Sequence, residues 1–201
     1  MRTDSCPFCA LGVPLHPYQT PPADLHVLPN PGGVVFVECV APTCVRLRTA
    51  TPDDAGQLLA WRNDPETRRA SFSETEVARA DHERWLAETL SRGDRHLYVA
   101  VADGRDVGTA RLDVCGAEAE VSITVAPEWR GRGLATAMLR ALTDEAFDRL
   151  ALSRLVARVK ASNPGSRAVF ERVGFRETAD GAVTTLVRER SRTQSPSRGV
   201  P

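Results

Sequence analysis

Six consecutive residues, Arg130-Gly131-Arg132-Gly133-Leu134-Ala135, offer the clearest chemistry in the chain. The two glycines admit a ligand close to the backbone, where a Cβ would stand in the way. The two arginines add positive charge suited to phosphate or carboxylate. Straight after Gly133, the residues Leu134, Met138, Leu139 and Leu142 recur at helical spacing and mark one apolar stripe. Upstream, Val121, Ile123 and Val125 alternate with Glu120, Ser122 and Thr124, which is the period of a strand. Pro127 then stops the ladder, because it has no N–H to donate. A strand that feeds a Gly-rich turn, which in turn opens a helix, aims unpaired backbone N–H groups at whatever lies over the turn. With the helix dipole behind them they form an anion site. The spacing is neither G-x-G-x-x-G nor G-x-x-x-x-G-K-[ST], so a dinucleotide or P-loop site is not indicated. A plain surface turn rich in Gly and Arg is the competing interpretation.

Other side chains could carry chemistry too. Glu118 and Glu120 lie on the polar face of the central strand, where a carboxylate could accept a proton. Four of the five cysteines fall in two pairs, Cys6/Cys9 and Cys39/Cys44. A C-x-x-C turn supplies two thiolates for two corners of a tetrahedral zinc site. The second pair is wider, and it follows Val34-Val35-Phe36-Val37, which has the composition of a strand. Knuckle, loop, strand, knuckle is the layout of a small zinc ribbon, with His16 and His26 as spare ligands. A redox pair, a disulfide or free thiols are the alternatives. No thioredoxin-like βαβ surrounds the C-x-x-C, and a chain without a signal sequence disfavours disulfides. Residues 1–44 also hold eight of the fourteen prolines. Such a segment buries little core, and a structural Zn2+ would stabilise it.

The elements that position these residues can be traced in order. The chain has 201 residues, enough for one sizeable domain with appendages. Hydrophobic residues make up 42% and charged residues 26%, ordinary for a globular protein. The formal net charge is zero, which gives no bulk attraction for nucleic acid or acidic lipid. No apolar run reaches membrane-spanning length, and the N-terminus lacks the apolar core of a signal peptide. A cytoplasmic protein without nucleic-acid or membrane partners is therefore expected, with room for a dimer.

Val45–Arg48 alternates as a first strand, and Thr51-Pro52 starts a helix with Leu58, Leu59 and Trp61 inward. Residues 66–72 suggest a short connecting helix or loop, and Thr75–Leu90 a second long helix. Leu97–Ala102 and Val107–Val114 form a hairpin about Asp103-Gly104, and Cys115-Gly116 turns into the central strand. After the central helix come a strand over Arg154–Lys160 and a helix capped by Ser166 and ended at Gly174. Phe175 and Val183–Val187 supply the last strands, and a polar tail from about residue 190 is expected to be disordered. The order is β-α-α-β-β-β-α-β-α-β-β.

Two strings in that order point to one family. Arg130-Gly131-Arg132-Gly133-Leu134-Ala135 fits [RQ]-x-x-G-x-[GA], and residues 163–175 resemble N-x-x-[SA]-x-x-x-Y-x-x-x-G-F. The chain thereby resembles the GCN5-related N-acetyltransferase (GNAT) family from residue 45 to about 189. The resemblance implies an α/β (α+β) acyltransferase fold, a mixed and mostly antiparallel sheet flanked by helices. It divides the chain into a zinc-ribbon-like extension (1–44), the GNAT domain (45–189) and a tail (190–201).

The resemblance also assigns roles. Arg130, Gly131, Arg132, Gly133, Leu134, Ala135 and Thr136 would hold the pyrophosphate of acetyl-CoA. Ile123, Thr124 and Val125 would pair with its pantetheine arm, which Asn163 and Ser166 would also contact. Glu120 would be the general base, with Glu118 in reserve. Phe170 stands where many relatives have an acid tyrosine, so it can pack against the thiol end but cannot donate a proton. Trp61, Arg62 and Asn63 would line the acceptor site as a stacking ring, a cation for phosphate and an amide for sugar hydroxyls. Three functions compete: N-acetylation of a small-molecule amine, including a nucleotide-linked amino sugar; N-terminal or lysine acetylation of a protein; and a non-catalytic acyl-CoA-binding module. Cys6, Cys9, Cys39 and Cys44 would be the metal ligands.

Overall fold

The computed structural model describes residues 25–28, 36–39, 44–179 and 181–190. The chain divides into two compact units, Met1–Cys44 and Val45–Pro201. In the first, β1 (Leu25–Leu28) pairs antiparallel with β2 (Phe36–Cys39). The strand expected over Val34–Val37 thus lies two residues later. Cys6 and Cys9 lie outside the described residues, as does the side chain of Cys39, and Cys44 is exposed with a free thiol. The described residues hold no cluster of three or more metal-ligating side chains. The tail from residue 191 also lies outside them.

The second unit begins with β3 (Val45–Thr49). A 3-10 turn follows at Pro52–Asp54, then α1 (Ala55–Asn63), α2 (Pro65–Ala70) and α3 (Arg79–Ser91). Asp54 accepts from the Thr51 amide at 2.7 Å, and Arg48 grips its carboxylate at 2.7 and 2.9 Å. Asp64 caps α2 by accepting from the amides of Glu66 and Thr67 at 3.1 and 3.0 Å. The expected helix over Thr75–Leu90 starts four residues late. Val77 exchanges two hydrogen bonds with the side chain of Asn63, at 2.8 and 2.9 Å, and this holds residues 75–78 out of the helix.

The strands β4 (Arg95–Ala102), β5 (Arg105–Cys115) and β6 (Glu118–Val125) form an antiparallel meander. Asp103 and Gly104 both take left-handed conformations at its first turn. Then come α4 (Leu134–Asp144), a π-helical turn at Glu145–Arg149, β7 (Arg154–Lys160), α5 (Pro164–Arg172), β8 (Arg176–Ala179) and β9 (Val183–Glu189). The sheet order is β3-β4-β5-β6-β7-β9-β8, and only β6 and β7 run parallel. This is the mixed, mostly antiparallel sheet that the sequence implies.

Alternation decides which helices cover which face. Tyr98, Leu112, Val121 and Leu155 pack with Leu139 and Leu142 of α4 and Phe170 of α5. Leu97 and Val99 point the other way, against Leu58 and Trp61 of α1 and Leu86 of α3. All four residues of the α4 stripe are buried. Fully burying one such leucine contributes about 1.5–3 kcal/mol, so this stripe anchors the helix that opens at the Gly-rich turn. α5 differs from expectation at its start. Its cap is Asn163, whose side chain accepts from the Ser166 amide at 3.0 Å, while Ser166 itself lies inside the helix.

Candidate active site

Two sequence features meet at one groove. β6 pairs with β7 only at Glu118–Arg154, Ala119–Leu155 and Glu120–Val156. From Val121 onward the two strands diverge, and β7 keeps β9 on its other side. Residues 122–125 of β6 therefore have β5 on one edge and no strand on the other. Their free backbone groups need a partner, and an extended amide-bearing chain can supply one. The opening continues to the turn Arg130–Gly133 and the first residues of α4. Gly131 and Gly133 adopt φ 74° and 73°, and Gly133 is the residue before the helix. A Cβ at either would meet nothing within 4 Å, so the protein itself demands glycine here by conformation and not by crowding.

The groove has a volume of about 970 Å³. It reaches from Gly131, Gly133, Leu134, Ala135 and Thr136 past Ile123, Thr124 and Val125 to Asn163, Ser166 and Phe170. Its other half lies between the sheet and the α1–α3 layer, where Trp61, Arg62, His82 and Trp85 face Thr109, Arg111 and Ser122. Most residues that the sequence nominates are thus brought together. Arg132 is an exception: it lies over the Trp129 ring at 4.7 Å and does not line the groove.

Four of the nominated residues have partners of their own. Arg130 lines the groove, but its guanidinium turns to α2. It donates to Asp64 at 2.6 Å, to Thr67 Oγ1 at 2.8 Å and to Glu66 at 3.1 Å. This bond is the leading reason that the Asp64 carboxyl sits below the ordinary carboxylate range. Asn63 does not line the groove, because both ends of its amide are spent on Val77. Trp61 lines it but is also 5% exposed core, packed with Leu58 and Leu86. Glu120 and Glu118 line a separate pocket of about 300 Å³, and Glu120 is paired with Arg158 at 2.9 Å. Arg158 in turn lies over the Phe72 ring at 5.7 Å and faces the groove.

Phe170 is 3% exposed, and its ring meets Phe175 edge-on at 5.1 Å. No phenol from this position can reach a leaving thiolate. Tyr98, the described tyrosine, is no substitute. Its hydroxyl donates to Glu145 at 3.1 Å on the α4 face, and burial pushes its pKa upward.

Several groove residues escaped the sequence. Thr109 and Arg111 share the polar face of β5 with Asp113, an alternation that marks them in retrospect. His82 carried no such signal. It is 3% exposed on α3, and burial lowers its pKa, with the Glu83 charge opposing and the Arg62 charge adding to the fall. Burial likewise lowers the pKa of Arg62, with the Arg68 charge adding to it. Arg62 Nη2 donates to the Ser73 carbonyl at 2.8 Å.

Comparison with known proteins agrees with this architecture. A Bacillus subtilis (strain 168) protein, YdaF, provisionally assigned as a ribosomal N-acetyltransferase, is 41% identical over 66 residues. That stretch spans 33% of this chain and 36% of YdaF. Among solved structures, a Vibrio cholerae spermidine N-acetyltransferase in complex with CoA and spermine superposes with a TM-score of 0.68 at 20% identity. The match covers 73% of this chain and 95% of that one. The acetyltransferase AAC(6')-Ib, solved with ribostamycin and coenzyme A, gives 0.66 at 22% identity, covering 75% and 98%. At those identities the likeness establishes the fold alone. The model of the acetyltransferase (GNAT) domain matches residues 45–176, and the chain belongs to the GNAT acetyltransferase family.

Proposed function

We propose that this protein transfers the acetyl group of acetyl-CoA to a primary amine. One observation carries the proposal: the unpaired edge of β6 and the Gly131–Gly133 turn open into the same groove as a separate aromatic and cationic wall. A pyrophosphate fits over the first amides of α4, where the helix dipole favours it. The pantetheine arm then completes the edge of β6 at residues 123–125, beside Asn163 and Ser166 on α5. The thioester comes to rest near Phe170, and the amine approaches from the Trp61 and Trp85 side.

The amine attacks the thioester carbon, the tetrahedral intermediate collapses, and the thiolate leaves. The incoming amine must shed a proton. Glu120 lies outside the groove and its carboxylate is held by Arg158, so the amine passes its proton to solvent. The thiolate takes its proton from water, because Phe170 offers none. In this scheme catalysis comes mostly from holding the two substrates in line.

The acceptor we favour is a small molecule. The nucleotide-linked amino sugar suggested by the sequence loses its amide contact with Asn63. The ribosomal assignment of YdaF favours a second reading, in which the acceptor is an amine of a protein. Calorimetry with CoA, followed by a thiol-release assay over small amines and peptides, tests the proposal. We expect CoA uptake by the intact chain and none after Gly133→Val, which forces a β-branched residue into the left-handed region. Equal uptake by both proteins would refute it. A free zinc-binding role for Cys6, Cys9, Cys39 and Cys44 is a separate proposal, and metal analysis of the full chain decides it.

A further inference from the structure

Among the described residues, every buried side-chain nitrogen without a hydrogen-bond partner belongs to three residues: Arg62 (Nη1), Arg68 (Nε) and His82 (Nδ1). One comes from each of α1, α2 and α3. They are neighbours, since Arg62 feels the charge of Arg68 and His82 feels that of Arg62. Arg62 and His82 line the acceptor half of the groove. Burying a guanidinium without an anion is costly, and so is leaving buried polar nitrogens unmatched.

The carboxylates among the described residues answer this need only in part. Glu76 stands 3.5 Å from Arg68 with 73% of its side chain exposed, and Arg62 has only the Ser73 carbonyl. Glu83 lies one position beyond His82 on α3 and pairs with Arg79 at 2.7 Å. The two acids that line the groove are occupied: Glu66 by Arg130 and Asp81 by Arg84. Of the other groove cations, Arg158 pairs with Glu120, Arg111 shares Asp113 with Arg95, and Arg172 belongs to α5. The charge left over is therefore positive, and on the α1–α3 wall Arg62 carries it.

We infer that this cluster is an anion subsite for the acceptor: the amine acetylated here carries a carboxylate or a phosphate ester, bound by Arg62 and His82 at the groove wall, with Arg68 adding its charge. The inference rests on the acetyltransferase reading and narrows it to one class of amine. It also sets this chain apart from neighbours solved with spermine and ribostamycin, both polycations. A polycation would find no free carboxylate on this wall.

The test uses the intact chain and amines in matched pairs: glycine against glycinamide for the carboxylate, and glucosamine 6-phosphate against glucosamine for the phosphate, with spermidine as the polycation. A hydrogen bond to a charged group predicts a kcat/KM for one anionic member at least roughly tenfold above its neutral partner, with spermidine below both. Arg62→Gln and Arg68→Gln should each bring that ratio close to one while CoA binding by calorimetry stays unchanged. Arg68→Gln leaves the Arg62–Ser73 bond intact, so it stands in if Arg62→Gln fails to fold. Faster turnover of the neutral member or of spermidine, or an anion preference that survives both substitutions, overturns the inference. A second arm needs no turnover. Inorganic phosphate should raise the melting temperature of the CoA-saturated protein, and both variants should lose that increment. Its absence from the wild-type protein sinks the subsite, whereas failure of CoA to bind sinks only the acetyltransferase reading.

Discussion

Replacing Gly108 by alanine should damage β6, the strand proposed to carry the cofactor, from behind. Gly108 lies on β5 opposite Val125 of β6. A Cβ built there would stand 2.2 Å from the Thr124 carbonyl oxygen, 2.8 Å from Met138 Cε and 3.1 Å from Val125 Cα. The Met138 terminus can swing aside, but the Thr124 carbonyl is part of a paired strand and cannot. It must retreat by about 1 Å to reach an ordinary contact. Overpacking of this kind costs about 1–3 kcal/mol, and a rigid backbone obstacle puts Gly108→Ala at the upper end. For a domain of this size each kcal/mol moves the melting temperature by about 2–4 °C, so a fall of roughly 5–10 °C is expected. The displaced segment includes Thr124 and Val125, so kcat/KM should drop as well, by up to roughly a hundredfold for a 1 Å misplacement. Circular-dichroism melts and thiol-release kinetics measure the two effects. Gly56→Ala is the control: that glycine sits in α1 with nothing within 4 Å of its would-be Cβ, and alanine should be neutral or mildly stabilising there. If Gly108→Ala melts together with the wild type and turns over normally, the packing argument is wrong.

Two further outcomes follow from single carboxylates. Asp64→Asn keeps an oxygen for the amides that cap α2 but loses the charge facing Arg130, whereas Asp64→Ala loses both. Denaturant midpoints should therefore fall in the order wild type, Asn, Ala, with about 1 kcal/mol between the last two, and equal losses would contradict the capping role. Asp54 is held below its ordinary 3.8 chiefly by hydrogen bonds from Arg48. A depressed folded value means that its contribution is complete above the unfolded value and disappears as pH falls through the folded one. Below about pH 4, Asp54→Asn should thus show a flatter loss of stability with acid than the wild type. Parallel acid limbs would count against this.

The parts of the fold that were legible in the sequence are those where a local pattern and the tertiary packing agree. The central strand, the turn with its left-handed glycines and the α4 stripe were visible because period and punctuation change at Gly133. The α3 boundary was not visible. Thr75-Glu76-Val77-Ala78 carries no helix breaker, and the force that unwinds it is a side-chain amide fourteen residues upstream. The side chains of the site were less legible than its backbone. A backbone anion site is written in glycine and proline, whose constraints are local. An arginine or glutamate declares only its charge, and its partner is chosen by the fold: Glu120 by Arg158 on β7, and Arg130 by the cap of α2. His82 shows the same limit, since nothing in its neighbours announces a buried imidazole.

That choice of partners has a consequence for how the two halves of the groove behave. Arg130 sits in the cofactor turn, yet it holds Asp64, Glu66 and Thr67, which begin the helix bearing Arg68. Asn63, one residue before that cap, fixes the loop that leads to α3 and His82. Arg62 fixes the same loop at Ser73. The Arg130–Gly133 turn, proposed to receive the diphosphate, and the α1–α3 wall, proposed to receive the amine, are therefore joined through one guanidinium. If the diphosphate draws Arg130 toward itself, the pair with Asp64 weakens and the acceptor wall is freed to adjust. If Arg130 stays with Asp64, the wall is rigid before either substrate arrives. The observed pairing is the second case, so Arg130→Gln acts on the acceptor, and its KM for the amine should rise by a larger factor than its Kd for CoA. A residue serving only the phosphate would give the reverse ratio, and that measurement separates a joint from a ligand.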